Sequence, residues 1–127
     1  MRSKMTAMLI TLALAVALCC ASLMFLNYFM DQADDLCSRA ISQVEAQDHR
    51  GALESLTTLA EKWEKWAALL ESVTSHEDLQ EVTREIIDTK TCLEQGDIDD
   101  FTRQAAQLGH AIHHIRDQED IRLSNLF

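Results

Sequence analysis

DHRGALESLTTLAEKWEKWAALLESV, residues 48–73, carries leucine, tryptophan and valine at Leu53, Leu56, Leu59, Trp63, Trp66, Leu70 and Val73. The steps are three or four residues throughout, the period of an α-helix with one apolar face. Asp48 is placed to cap its start, and Gly51 falls in the first turn. Trp63 and Trp66 lie three apart on that face. Stacked aromatics can bind a sugar or an apolar ligand, but in a chain whose aromatic content is 6% they read first as core anchors.

The same period recurs on both sides. Upstream, Ala33, Cys37, Ala40 and Val44 predict a helix ending near Gln47. Downstream, Ser75 followed by Asp78 resembles a capping box, and Leu79, Val82, Ile86, Thr89 and Leu93 mark a third helix that Gly96 ends. Asp97 is placed to cap a fourth, with Ile98, Phe101, Ala105, Leu108, Ile112 and Ile115 on one face. The acidic run Asp97–Asp100 reads as a cap that complements the helix dipole; it lacks the spacing and glycine of a calcium loop. Superposing Asp48 on Asp97 places Leu59 on Leu108, Trp63 on Ile112 and Trp66 on Ile115. That is a faint internal repeat, although any two amphipathic helices align about as well.

Composition agrees with an all-α chain. The 127 residues include no proline and three glycines, too few for a turn-rich β-fold. The length allows one small domain. Net charge is −10, which excludes general nucleic-acid binding.

Ahead of the helices, Met5–Met30 is 26 residues without a charge. As a helix it would reach roughly 39 Å at about 1.5 Å per residue, against a hydrocarbon core of about 30 Å, so it can span with some tilt or with Asn27, Tyr28 and Phe29 in the headgroup zone. Arg2 and Lys4 precede it, and Asp31, Asp34 and Asp35 follow it. The positive flank predicts a cytoplasmic N-terminus. A cleaved signal peptide shares the same start, but the apolar run continues through Leu23–Leu26, and Cys19-Cys20-Ala21 is a weak cleavage site. Lipidation at Cys19 or Cys20 is disfavoured by Leu18. The expected organisation is a cytoplasmic stub and transmembrane anchor over 1–30, then an extracytoplasmic domain over 31–127. Without Arg2 and Lys4 that domain has nine basic residues against 21 acidic ones, net −12. Repulsion from an anionic membrane surface would hold it off the bilayer. The expected fold is all-α: a single N-terminal transmembrane helix followed by an antiparallel bundle of three to four amphipathic helices.

Three groups of residues are candidates for function. His110, His114 and Asp117 share one face of the fourth helix, where histidines at i and i+4 can chelate zinc, copper or nickel and a carboxylate can add a third ligand. The bland reading of the same face is solvated polarity. His76 or His49 are further candidates to join from another helix. Cys37 and Cys92 lie outside the apolar run, and an inter-helix disulfide, two unpaired thiols and an inter-chain link are all compatible with the sequence. Ile121 with the apolar tail Leu123, Leu126 and Phe127 either forms a partner contact or closes the bundle. No nucleophile elbow, phosphate loop or cofactor motif occurs, so neither an enzyme nor a cofactor is expected.

The short basic start, the single span, Trp63-x-x-Trp66, His76-Glu77-Asp78-Leu79, Phe101 and the ending Glu119–Phe127 resemble a family of small bacterial proteins known as domain of unknown function 4363. The resemblance covers nearly the whole chain and implies a membrane-anchored protein of sporulating or related Gram-positive bacteria with no assigned activity. It also makes a Cys37–Cys92 disulfide less expected. The function expected is that of a non-enzymatic accessory or interaction partner of another envelope protein, single-pass in the cell membrane. A homo-oligomer is compatible with it. The alternative is a membrane-tethered sensor or metal-binding module using the histidine cluster.

Overall fold

A computed structural model describes residues 2–72 and 74–126, with the backbone alone at Glu119, Asp120, Arg122, Leu123, Ser124 and Leu126. Among the described residues there are four helices and no strand: α1 (Arg2–Glu45), α2 (His49–Leu70), α3 (His76–Glu94) and α4 (Ile98–Leu126). Each helix packs on its two neighbours, α1 on α2 and α4, and α3 on α2 and α4. Short turns therefore generate an up-down-up-down bundle, the arrangement that apolar faces of this period favour.

The turns show why the helices end where they do. α1 stops at Glu45, two residues before the expected end, because Gln47 takes a left-handed φ of 63°. The Gln47 N–H donates to Val44 O at 3.0 Å and the Asp48 N–H to Gln43 O at 2.7 Å, which closes the helix with a Schellman turn. The α3–α4 turn repeats this with Gly96 at φ 74°. There Gly96 N–H donates to Leu93 O and Asp97 N–H to Cys92 O, both at 3.1 Å. Each turn then hands over to an aspartate cap. Asp48 Oδ1 accepts from the Gly51 N–H at 3.0 Å, and Asp97 Oδ1 from the Asp100 N–H at 3.1 Å. A Cβ at Gly51 would meet the ends of the Asp48 and Gln43 side chains, so a larger residue there would have to displace the capping carboxylate.

The repeat faintly visible in the sequence extends to burial. The same offset pairs Met30 with Leu79, Cys37 with Ile86, Val44 with Leu93, Leu59 with Leu108 and Trp63 with Ile112, all buried. The molecule is thus two helical hairpins of matching register. The expected capping box at Ser75 does not form: Ser75 is the N-cap of α3 but makes no side-chain cap bond. Asp78 turns instead toward α4, where its carboxylate lies 3.7 Å from His114.

The core contains both tryptophans. Trp63 is 1% exposed and its indole N–H donates to Thr83 Oγ1 at 3.1 Å. Trp66 stacks on Phe29 with ring centroids 5.1 Å apart. Thr89 fits an apolar stripe because its hydroxyl donates back to Glu85 O at 2.6 Å.

The bundle core reaches into the uncharged run. α1 is continuous, and its first residues through Cys20 are exposed. Leu26, Phe29 and Met30, however, are buried in the same cluster as Leu59, Trp63 and Ile112. The end of the uncharged run is therefore bundle core. What remains, Met5–Phe25, is 21 residues, about 31 Å of helix, which matches a hydrocarbon core of about 30 Å without the excess length noted above.

Candidate functional site

A concavity with titratable groups facing one another runs between α3 and α4. Glu81 and Glu85 stand one turn apart on α3, and His110 and His114 one turn apart on α4; with Gln107 and Ala111 they line a groove of about 500 Å³. The groove is open to solvent on its outer side, since His110 and His114 are exposed. Burial pushes the Glu85 carboxyl above the ordinary range, Asp88 and Glu81 add repulsion, and Arg84 offsets part of it. Glu85 Oε2 is buried without a hydrogen-bond partner. His114 is held by α3 and by its own helix, with Asp78 at 3.7 Å and the Gln118 amide 3.0 Å from Nε2.

The expected triad is only partly assembled. His110 and His114 share a face as their spacing requires, but Asp117 is exposed and is not among the residues lining the groove. The acidic neighbours of the histidines are Asp78, Glu81 and Glu85 from α3. Among the described residues no group of three or more His, Cys, Asp or Glu side chains is arranged to hold a metal ion. His76 pairs with Glu71 at 3.7 Å and lies outside the groove. The acidic lining was missed because inter-helix register is not written in local spacing. The one available signal was the i, i+4 pair Glu81 and Glu85.

The thiols are free. The Cys37–Cys92 disulfide does not form because the two side chains serve different parts of the core. Cys37 is buried in the larger cluster, its thiol directed at Ala105 O on α4 at 3.7 Å, whereas Cys92 packs partly buried against the cluster at the turn end. Burial, reinforced by Asp34, pushes the Cys37 thiol up to about 11. Cys92 is also raised, first by burial, then by Asp100, Asp97 and Asp88, against Arg103.

The C-terminal contact group is visible in part. Ile121 is 59% exposed on α4. Phe127 lies outside the described residues, as do the side chains of Leu123 and Leu126 and the whole of Val73. Where the tail runs is set by two pairs between α4 and α1: Arg116 with Asp31, and His113 with Asp34 at 3.6 Å. Three residues forward on α4 match three residues back on α1, so Ile121, five residues past Arg116, stands near the height of Leu26.

A family model described as Domain of unknown function (DUF4363) matches residues 20–126. The chain belongs to this family. The DUF4363 match starts at the point on α1 where side chains cease to be wholly exposed, Ala21–Leu23 being half-buried. The unit matched as DUF4363 is therefore the bundle, with Leu26, Phe29 and Met30 as part of its core. No curated protein and no solved structure matches the chain.

Proposed function

We propose that the protein is a membrane-anchored helical bundle that works outside the cytoplasm as a non-enzymatic accessory or interaction partner of another envelope protein. The observation that carries this reading is the continuity of α1. One helix is long and apolar enough to cross a membrane and then supplies Leu26–Val44 to the bundle core. Arg2 and Lys4 ahead of the run and Asp31, Asp34 and Asp35 after it favour a cytoplasmic start. The bundle interior is filled with apolar side chains, so recognition falls to the outer surface.

Purification of the full-length protein from its own membranes in mild detergent should bring a membrane protein with it in stoichiometric amount. Recovery of the chain alone, or only with itself, refutes the accessory role. Leu126→Ala with Phe127→Ala tests the tail. A contact surface loses the partner while melting barely changes; a tail that merely closes the bundle lowers the melting temperature and leaves binding intact.

The second reading is a tethered metal-binding or sensing module. It is favoured by the groove, where His110 and His114 face Glu81 and Glu85 across two helices. Binding would draw these side chains together. Titration with zinc, copper or nickel should give micromolar or tighter affinity that is lost with His110→Ala and His114→Ala together. No heat from any of the three removes the reading.

A further inference from the structure

We infer that the end of the bundle nearest the anchor sits in the headgroup layer of the bilayer that α1 crosses, with Phe25, Tyr28 and Leu69 as its lipid contacts. The inference rests on the anchoring reading above and goes beyond it: net charge alone predicts a domain held off the bilayer, whereas here the apolar base meets lipid and the acidic remainder stays in water. Three observations carry it.

The first is the absence of a spacer. Leu26 lies inside the uncharged run Met5–Met30 itself, yet it is already 3% exposed and part of the core. A helix has no slack, so the bundle begins at the height where the hydrocarbon ends.

The second is where the exposed apolar side chains lie. Phe25 is 61% exposed, Tyr28 57% and Leu69 67%. Leu69 and Leu70 of α2 share one apolar groove with Ser22, Phe25 and Phe29 of α1, which fixes Leu69 at the height of Phe25. Ile121 of α4, 59% exposed, stands near the height of Leu26 by the register of Arg116 on Asp31 and His113 on Asp34. Three of the four helices thus carry exposed apolar residues at one level. Over the rest of the bundle, the exposed large apolar residues among those described are Ile87 and Ile98.

The third is residue type. Phe25, Tyr28 and Phe29 lie with neighbouring ring centroids 5.9–6.1 Å apart, and Phe29 continues the cluster to Trp66. Aromatic side chains gather at the membrane–water boundary, where an apolar ring and a polar edge both find their solvent. On α1, Asp31, Asp34 and Asp35 begin the water-facing surface within a turn or two, and Arg116 pairs with the lowest of them, while at the α2–α3 turn the exposed Glu71 lies 3.7 Å from His76 and needs the polar headgroup side of the boundary.

The test is made on the full-length chain in vesicles of phosphatidylcholine and phosphatidylglycerol. Spin labels are placed singly on Ala15→Cys, Leu69→Cys and Ile87→Cys in a chain whose four cysteines are alanine. Collision with dissolved oxygen reports lipid, and collision with a water-soluble nickel chelate reports water. The ratio of oxygen to nickel collisions at residue 69 should exceed that at residue 87 several-fold, with residue 15 higher still. A label at 69 that behaves like the one at 87, or is closed to both reagents because protein covers it, overturns the inference while leaving the anchor intact. A water-exposed label at 15 overturns both. The unsubstituted chain gives a second readout. Tryptophan fluorescence, from Trp63 and Trp66 together, should fall most with bromine near the acyl carbonyl and less with bromine at the chain end. Equal fluorescence in all lipids refutes the immersed base.

Discussion

Met24→Ala and Met30→Ala are the same substitution, about one and two-thirds turns apart on one uninterrupted helix, inside one uncharged run. The structure assigns them to different surroundings. Met24 is 73% exposed, on the N-terminal side of the first core residue; Met30 is 0% exposed, packed in the cluster that holds Trp63, Leu59 and Ile112. Truncating a buried methionine removes its transfer free energy and leaves a cavity, typically about 2–5 kcal/mol. Methionine is the most adaptable filler of irregular gaps, so the lower part of that range, about 2–3 kcal/mol, is expected here. With a urea slope of about 1–3 kcal/mol/M for a small domain, the unfolding midpoint should drop by about 0.7–3 M. Met24→Ala should leave it within experimental error. The assay is urea unfolding of the full-length protein in mild detergent, followed by tryptophan fluorescence, since Trp63 and Trp66 both report on the bundle. Equal, small effects of the two substitutions would refute the claim that the end of the apolar run is bundle core and restore the boundary at residue 30.

Glu85→Gln should stabilise the bundle at neutral pH. The folded carboxyl holds its proton more tightly than the ordinary value of 4.5. The folded state is therefore favoured below that value and loses the advantage as pH rises through the raised pKa; the substitution should flatten this limb, which stability curves across pH 4–8 would reveal. Gly96→Ala has open space around it but a φ of 74°, so it should cost about 1–2 kcal/mol from backbone strain alone. Gln47→Gly, at the matching turn with φ 63°, should have the opposite sign and gain up to about 1 kcal/mol, as paired denaturation curves would show. Cys37 should resist iodoacetamide in the folded protein at pH 8 and react on unfolding, because its buried thiol titrates near 11; prompt labelling under native conditions would contradict its placement against Ala105.

Much of this architecture is legible in residue spacing. Leucine, isoleucine and tryptophan at three- and four-residue steps locate α2, α3 and α4 closely, and Asp48 and Asp97 mark their turns, because caps and periods are local signals. The failures share a cause. Hydropathy does not distinguish a side chain facing lipid from one facing a protein core, so Leu26, Phe29 and Met30 read as membrane. Asp78 has the spacing of a capping residue, yet a histidine on α4 draws its carboxylate away from Ser75. The histidine face was correctly placed on one helix, but its acidic neighbours Glu81 and Glu85 come from α3, and only packing brings them opposite.

The unbroken α1 makes angular phase a property that the two ends share. Each residue turns the helix by about 100°, so one residue inserted before Leu26 would swing everything above it by that angle relative to whatever the lower half touches. Seven inserted residues nearly restore the heading while lifting the bundle by about 10 Å. Orientation and height are thereby separable: a partner that reads the azimuth of the span tolerates the second change but not the first.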